Sequence, residues 1–154
     1  WQTHSQYVAI QNSSFGFIGR RDSVTDRISK KQRSELMSKI KSKNTKLETA
    51  FRKLLWNKGL RYRVYPNILG KPDLIFPKNK LVMFIDSCFW HNCPRHARKP
   101  NSNKTYWNAK LKRNSKRDKE VTNQLKIDGW KVLRFWEHDL KYLDKCVERV
   151  VKEL

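Results

Sequence analysis

A short apolar run leads directly into a cluster of cysteines and histidines. The run is Leu81 to Ile85, and the eleven residues that follow it, 86–96, contain two of the three cysteines and two of the four histidines. An apolar run of this length is typical of a buried β-strand. Cysteine and histidine are common ligands of Zn²⁺, several of which often come from one tight loop. We therefore expect a fold in which a buried strand ends at a metal-binding loop.

Four side chains form the candidate zinc site. Cys88, Cys93 and His96 come from the loop, and His138, which follows a later apolar strand, is a natural fourth ligand. A closed site of this kind is structural and keeps a loop of low apolar content ordered. His91 either replaces His96 as a ligand or stays free to act as a general base near neutral pH. In the alternative interpretation, the thiols are simply small buried side chains and the histidines lie on the surface.

Hydrophobic periodicity and turn residues predict an alternation of helices and strands. Thr45 and Glu48 have the spacing of a capping box, and Gly59 and Gly129 are typical of helix ends. The predicted helices are 29–43, 46–58, 104–127 and 139–152, and the predicted strands are 61–65, 73–76, 81–85 and 130–136. Helices before, between and after the strands indicate an α/β layer architecture with a central mixed sheet.

The length of 154 residues favours one domain with a sizeable core. The apolar runs are far shorter than the roughly twenty residues of a membrane span, so we expect no membrane partner. The polar first residues lack the basic start and apolar block of a secretory signal. We expect residues 1–28 to be a flexible N-terminal arm or an expression remnant, and residues 29–154 to be the folded domain.

The balance of charge points to an anionic partner. Lysine and arginine number 35 and aspartate and glutamate 14, which leaves a formal net charge of +21. Such a charge opposes compaction unless an anionic partner screens it, so nucleic acid is the leading candidate. The apolar content of 38% argues against a wholly disordered basic tail. The charge must therefore be spread over a folded surface.

Asp73 is a second candidate for chemistry. It follows Gly70-Lys71-Pro72 and opens a short apolar strand. An acid at a strand end, next to the end of another strand, is where nucleases hold Mg²⁺ against a phosphate. The alternative is an ordinary turn, because aspartate after proline is common there.

Taken together, these residues resemble the very short patch repair (Vsr) endonuclease family, a branch of the PD-(D/E)XK nucleases. The resemblance runs from Arg33 to about Leu140 and rests on Arg33-Ser34, Met37, Thr45-x-x-Glu48, Gly70-Lys71-Pro72-Asp73, Cys88-Phe89-Trp90-His91, Tyr106-Trp107, Arg117-Asp118, Gly129-Trp130 and Trp136-Glu137. It implies a restriction-endonuclease-like three-layer fold with a structural zinc site. It also implies an Mg²⁺-dependent enzyme that nicks DNA beside the T of a T:G mismatch formed by deamination of 5-methylcytosine.

The resemblance assigns roles residue by residue. Asp73 is the Mg²⁺ ligand, assisted by the backbone carbonyl of Ile85. His91 is the base that activates water, and Asp118 accepts from its other ring nitrogen and fixes its tautomer. Glu48 reaches the metal-bound waters, although its place in the capping box is already a sufficient structural role.

Three positions depart from the family pattern. Asp86 stands where some members have a histidine near the phosphate, so it is expected to act on metal or water instead. His138 stands where a cysteine is common, which zinc tolerates. Cys93 and His96 replace a different arrangement of ligands, so their assignment depends on spacing.

Aromatic and basic residues are the expected DNA contacts. Phe89 and Trp90 are adjacent, so on an extended segment they cannot face the same core. In the family the matching aromatics, with Trp107, wedge into the base stack beside the mismatch, where unstacking is cheapest. The basic side chains expected to hold the DNA backbone are Lys39, Lys41, Lys43, Lys110, Lys112 and Arg113. The alternative for each basic helix is an ordinary solvated face.

The leading prediction is therefore an endonuclease that acts on double-stranded, mismatched DNA as a monomer, in a bacterial-type cytoplasm and at the nucleoid. A second hypothesis is a restriction-type or nicking enzyme of the same fold with another DNA target. A third is a zinc-containing DNA-binding module without catalysis. The presence of Asp73, His91 and Asp118 together argues against the third.

Overall fold

The computed structural model of the chain describes residues 29–39, 43–98, 100 and 103–154. The arm expected over residues 1–28 and the DNA contact expected at Lys41 lie outside the described residues. No helix in the described part of the chain is long and apolar enough to cross a membrane.

The described residues form an α/β fold around a four-stranded mixed sheet. The helices are α1 (Lys30–Ser38), α2 (Lys46–Asn57), α3 (Lys104–Ile127) and α4 (Leu143–Glu153), and the strands are β1 (Arg63–Val64), β2 (Leu74–Phe76), β3 (Leu81–Asp86) and β4 (Lys131–Trp136). The strand order is β1-β2-β3-β4, with antiparallel pairs β1–β2 and β2–β3 and a parallel pair β3–β4. The mixed sheet expected from the sequence is therefore present.

The predicted elements are present, and three of them have limits that differ by more than one residue. The first helix ends at Ser38, and the last begins at Leu143 after a separate 3₁₀ turn, Asp139–Lys141. The predicted strand 61–65 is reduced to Arg63–Val64. Tyr65 has a φ of +47°, which an extended strand does not permit, and this ends β1 one residue early.

The capping box forms as predicted and fixes the start of α2. The Thr45 hydroxyl accepts a hydrogen bond from the Glu48 N–H at 3.2 Å. The Glu48 carboxylate in turn accepts from the Asn44 N–H at 2.9 Å. The first bond satisfies an amide donor that the first turn of a helix leaves unpaired, and the second ties the residue before the N-cap to that turn.

Helices cover both faces of the sheet. Side chains alternate between the two faces along each strand, so the apolar strands present buried side chains to helices on both faces. On one face, Phe51 of α2 and Val147 of α4 belong to the same buried cluster as Met83 and Phe135 of the sheet. On the other face, Leu125 of α3 belongs to a cluster that includes the β3 residues 82 and 84. The sheet is thus the middle layer of the fold.

The strand directions bring the chemical residues to one end of the sheet. In the parallel pair, Asp86 at the end of β3 lies opposite Trp136 at the end of β4. The loop after β3 therefore begins beside residues 137 and 138. In the antiparallel pair, Leu74 lies opposite Met83, so Asp73 lies near the same end.

Gly70 offers a test of the packing between the 66–70 loop and α3. Gly70 and Gly59 both have positive φ, +76° and +81°. Such a backbone costs an alanine about 1–2 kcal/mol. A Cβ at Gly70 would also collide with Val121 of α3, whereas one at Gly59 meets nothing within 4 Å.

We therefore expect Gly70→Ala to lower the free energy of unfolding further than Gly59→Ala, by about 1–3 kcal/mol for the overpacking. Urea unfolding of both variants measures the difference. Equal losses at the two positions would contradict the close approach of the loop to α3.

Candidate active site and metal centre

Asp73 lies at the start of β2 and is held by the neighbouring strand. Its Oδ2 accepts a hydrogen bond from the Ile85 N–H at 2.7 Å, and its own N–H donates to the Met83 carbonyl at 2.9 Å. Burial raises the pKa of Asp73 to about 6 despite the Ile85 hydrogen bond, and the negative charges of Glu48 and Asp86 raise it further. A buried carboxylate among other carboxylates ionises readily once a cation is bound. Oxygen donors of this type fit a hard divalent cation such as Mg²⁺.

Glu48 is buried near Asp73 but is already well bonded. Besides the Asn44 amide, its carboxylate accepts from the Thr45 hydroxyl at 3.0 Å and from the Tyr65 hydroxyl at 3.2 Å. These contacts explain why an acid is tolerated there. They also show that its place in the capping box is a complete structural role by itself.

His91 and Asp118 form a close pair. The His91 Nδ1 lies 2.6 Å from the Asp118 Oδ2, joining the loop after β3 to the middle of α3. Burial opposes ionisation of Asp118, but the hydrogen bond to His91 and the charges of His91, Arg134 and Arg117 outweigh it and lower its pKa. When the imidazole is neutral with its proton on Nδ1, Asp118 accepts the hydrogen bond from that N–H and Nε2 keeps a free lone pair. An imidazole oriented in this way is suited to act as a general base.

Asp86 has a partner that the sequence did not reveal. Arg134 of β4 donates from Nε to the Asp86 Oδ2 at 2.7 Å and from Nη2 to Oδ1 at 2.6 Å. Both oxygens of Asp86 are therefore engaged by one guanidinium, and the expectation that Asp86 acts on metal or water stays a prediction. The two residues are 48 positions apart, and no local pattern marks them as a pair.

The four predicted zinc ligands converge. The donor atoms of Cys88, Cys93, His96 and His138 all lie within 4.8 Å of one another. The His138 Nδ1 is 3.2 Å from the Cys88 Sγ and 3.8 Å from the Cys93 Sγ, which in turn is 3.9 Å from the His96 Nδ1. Metal–ligand bonds of 2.0–2.3 Å place the ligands of a tetrahedral ion roughly 3.3–3.8 Å apart. The three distances of 3.2, 3.8 and 3.9 Å lie close to that range, so the cluster could hold such an ion after a small contraction.

The sequence left open whether His91 or His96 is the third metal ligand of the loop. His96 belongs to the cluster and His91 does not, so the structure favours His96. Burial and the neighbouring Cys93 raise the pKa of the Cys88 thiol, although His138 opposes this. Cys88 therefore ionises more readily when a cation lies beside it. On its other side, the His138 Nε2 faces the Asp139 Oδ1 at 3.4 Å, a contact that favours Nδ1 as the metal-facing atom.

Phe89, Trp90 and Trp107 form a half-buried aromatic cluster. Their ring centroids are 4.9 Å apart for Phe89 and Trp90, 5.4 Å for Phe89 and Trp107, and 5.9 Å for Trp90 and Trp107. Residues 88–92 form turns, so the assumption of an extended segment was wrong. The turns allow the adjacent Phe89 and Trp90 to contact each other edge to face. The Asn114 side chain fixes this turn by donating to the Trp90 carbonyl at 3.0 Å.

The predicted basic contacts differ in their surroundings. Lys39, Lys43, Lys112 and Arg113 are exposed. The Lys110 Nζ instead lies over the ring of Trp90 at 5.1 Å and over the ring of Trp107 at 5.6 Å. Lys110 therefore contacts the aromatic cluster directly.

The relatives of this chain are DNA-cleaving enzymes. The type II nicking enzyme V.NmeDIP of Neisseria meningitidis serogroup C is 46% identical over 129 residues, which are 81% of this chain and 87% of that protein. The type II nicking enzyme V.NaeI of Lentzea aerocolonigenes is 43% identical over 128 residues, which are 79% of this chain and 76% of that protein. This similarity defines the class as endonucleases and removes the hypothesis of a non-catalytic binding module.

The family follows from two further matches. A family model described as DNA mismatch endonuclease Vsr matches residues 25–96. The DNA mismatch endonuclease Vsr of Escherichia coli strain K12 is 32% identical over 126 residues, which are 80% of this chain and 81% of that protein. The chain belongs to the Vsr family of DNA endonucleases, which confirms the resemblance found in the sequence.

If the cysteine–histidine cluster binds a metal ion, substitution of a thiol inside the cluster should lower the metal content, whereas substitution of a thiol outside it should not. Cys88→Ser should remove a ligand, so that metal content falls from about one ion per chain toward zero and the unfolding temperature drops. Cys146→Ser is the control, because Cys146 is a buried free thiol of α4 outside the cluster. Elemental analysis and thermal unfolding of both variants give the answer. Full metal content in Cys88→Ser would exclude this cluster as the metal site.

Proposed function

We propose that the protein is an Mg²⁺-dependent DNA endonuclease that nicks one strand at a T:G mismatch arising from deamination of 5-methylcytosine. The observation that carries the proposal is the 2.6 Å contact between the His91 Nδ1 and the Asp118 Oδ2 in a chain of the Vsr family. This contact supplies an oriented base at the end of the sheet where Asp73 lies.

In the proposed mechanism, His91 takes a proton from the attacking water, and Asp118 orients the His91 ring. Asp118 accepts the hydrogen bond from the Nδ1–H, so the His91 Nε2 is free to take a proton from the water that attacks the phosphorus. As the new bond to phosphorus forms, the bond between phosphorus and the leaving sugar oxygen breaks, which nicks the strand. Asp73 and the Ile85 carbonyl would hold Mg²⁺, and Glu48 would contact its waters. The chemistry that Mg²⁺ supplies when bound is charge stabilisation on the phosphate and on the leaving oxygen.

Zn²⁺ is the proposed occupant of the cysteine–histidine cluster. Its four protein ligands, Cys88, Cys93, His96 and His138, leave no open position, which is characteristic of a structural site. The loop that carries them also carries Phe89, Trp90 and His91. The proposed role of zinc is therefore to hold the base and the aromatic cluster in one rigid unit.

The half-buried aromatic cluster supports a mismatched substrate. Side chains that are already packed together lose little freedom when they enter a base stack, and a mispaired step is cheaper to open than a paired one. Contacts from the basic side chains position the duplex without reading its sequence. We further propose that the enzyme acts as a monomer on genomic DNA, in the cytoplasm and at the nucleoid, a location that the bacterial origin of the relatives supports.

A second candidate is a nicking enzyme with another DNA target. It is favoured by the relatives of 46% and 43% identity, which are named as type II nicking enzymes. Both candidates use the same chemistry at Asp73 and His91. They differ only in the duplex that is cut.

The proposed chemistry predicts that His91→Ala slows nicking by about 10²–10⁴-fold, the usual contribution of a general base. Asp73→Asn should reduce nicking to background, because the metal ligand is lost. Duplex binding should persist in both variants. Asp128→Asn, at an exposed acid that follows α3, is the control and should cut normally.

Single-turnover nicking and fluorescence anisotropy at one salt concentration measure both properties. Loss of bound metal and of folding in His91→Ala would instead place His91 in the metal shell.

The aromatic cluster predicts a selective defect in Trp90→Ala. Nicking of a T:G duplex should fall by more than binding to paired DNA, with a difference of about 1–3 kcal/mol for the lost stack. Trp56→Ala is the control, since Trp56 is 51% exposed on α2 and packs against Tyr62. All comparisons need one fixed salt concentration, because counterion release dominates the affinity of so basic a chain.

Nicking by the unmodified protein distinguishes the mismatch endonuclease from the nicking enzyme with another DNA target. Faster nicking of a T:G duplex than of the matched T:A duplex supports mismatch repair. Equal rates would overturn the mismatch assignment and favour the second candidate, whatever the outcome at Asp73 and His91.

A further inference from the structure

Arg134 occupies a central position beside the catalytic pair. Besides its two hydrogen bonds to Asp86, its Nη2 lies 3.6 Å from the Asp118 Oδ1, and its Nη1 donates to the Thr122 hydroxyl at 3.2 Å. The guanidinium also lies over the Phe84 ring, 4.4 Å from the ring centroid. The Arg134 guanidinium is therefore held between described groups of β3 and α3.

Two carboxylates face the same nitrogen of His91. The Nδ1 is 2.6 Å from the Asp118 Oδ2 and 3.6 Å from the Asp86 Oδ1. One N–H can make only one strong hydrogen bond, so the two acids are competitors for it. The ring orientation of His91, and with it the direction of the Nε2 lone pair, depends on which acid is the acceptor.

Arg134 decides this competition. A bidentate guanidinium–carboxylate pair is the strongest common side-chain hydrogen bond, and here it occupies both oxygens of Asp86. Asp86 is buried, so without Arg134 its carboxylate would lack a cationic partner and its nearest alternative donor would be the His91 Nδ1–H.

We infer that Arg134 is a positioning residue for the general base, which engages Asp86 and thereby leaves Asp118 as the sole acceptor for His91. This inference rests on the proposed role of His91. Arg134 itself need not touch the reacting atoms. Its effect is on the rate of the chemical step at saturating DNA and not on the affinity for DNA.

The test compares Arg134→Gln with the double variant Asp86→Asn/Arg134→Gln. In the single variant, Asp86 is released to compete for His91, so the single-turnover rate at saturating T:G duplex should fall about 10²-fold, within the range for a lost general base. The dissociation constant for DNA should change less than about threefold, since the phosphate contacts lie elsewhere. The double variant removes the competing charge of Asp86, so it should cut at least about tenfold faster than Arg134→Gln.

Arg149→Gln is the matched control. Arg149 also lies over a phenylalanine ring, with its guanidinium 4.6 Å from the centroid of Phe135, but it belongs to α4. Its loss should leave the nicking rate unchanged. Should Arg134→Gln fail to fold, Arg134→Lys tests the same point, because lysine keeps the charge but cannot engage both oxygens. We expect the nicking rate of Arg134→Lys to fall as well, but by less than that of Arg134→Gln.

A second readout does not depend on cutting. The ring-nitrogen NMR signals of His91 should report one tautomer, protonated at Nδ1, in the unmodified protein. They should report a second ring environment in the folded Arg134 variants. A rate within threefold of the unmodified protein, a double variant as slow as Arg134→Gln, or unchanged His91 signals would each overturn the inference.

Failure of the proposed function gives a different result. If His91→Ala cuts as fast as the unmodified protein, His91 is not the base, and the proposed mechanism falls whatever Arg134 does. If His91→Ala is inactive while the Arg134 variants cut normally, only the inference about Arg134 falls.

Discussion

The parallel pairing of β3 with β4 is the interaction on which the rest of the site depends. It sets Asp86 opposite Trp136, so that the loop after β3 and the turn after β4 leave the sheet side by side. Cys88 can then reach His138, fifty residues further along the chain. The same pairing joins Arg134 to Asp86. A shift of one residue would turn the side chains of β4 to the opposite faces and separate both pairs.

A second constraint is the contrast between the surface and the site. The chain carries a net charge of +21, yet two of its few acids, Glu48 and Asp86, are buried, and Asp73 lies close to both. Burying carboxylates near one another is costly unless each has a donor or a cation. Glu48 has the capping box and Asp86 has Arg134. Among the described residues, the Asp73 carboxylate accepts one hydrogen bond, from the Ile85 N–H, so the Mg²⁺ proposed there would balance its charge.

Much of the fold was predictable because its signals are local. The helix 104–127 and the start of α2 were predicted at their observed positions, since periodicity, a capping box and a terminal glycine all act within a few residues. β1 was predicted in the right place but too long, and its early end follows from the positive φ of Tyr65, which no alternating pattern of side chains reveals. The aromatic cluster was expected, but on an extended segment, whereas turns place Phe89 against Trp90.

The sequence by itself determined the elements, the mixed sheet, the candidate ligands and the resemblance to the Vsr family. Only the tertiary structure decided how the candidates divide: His96 joins the thiols, and His91 pairs with Asp118. Only it showed that Arg134 engages both oxygens of Asp86. The physical reason is that local patterns record which backbone conformation a segment prefers. Contacts between residues tens of positions apart depend on strand register and on how α3 packs across the sheet, which are properties of the whole chain.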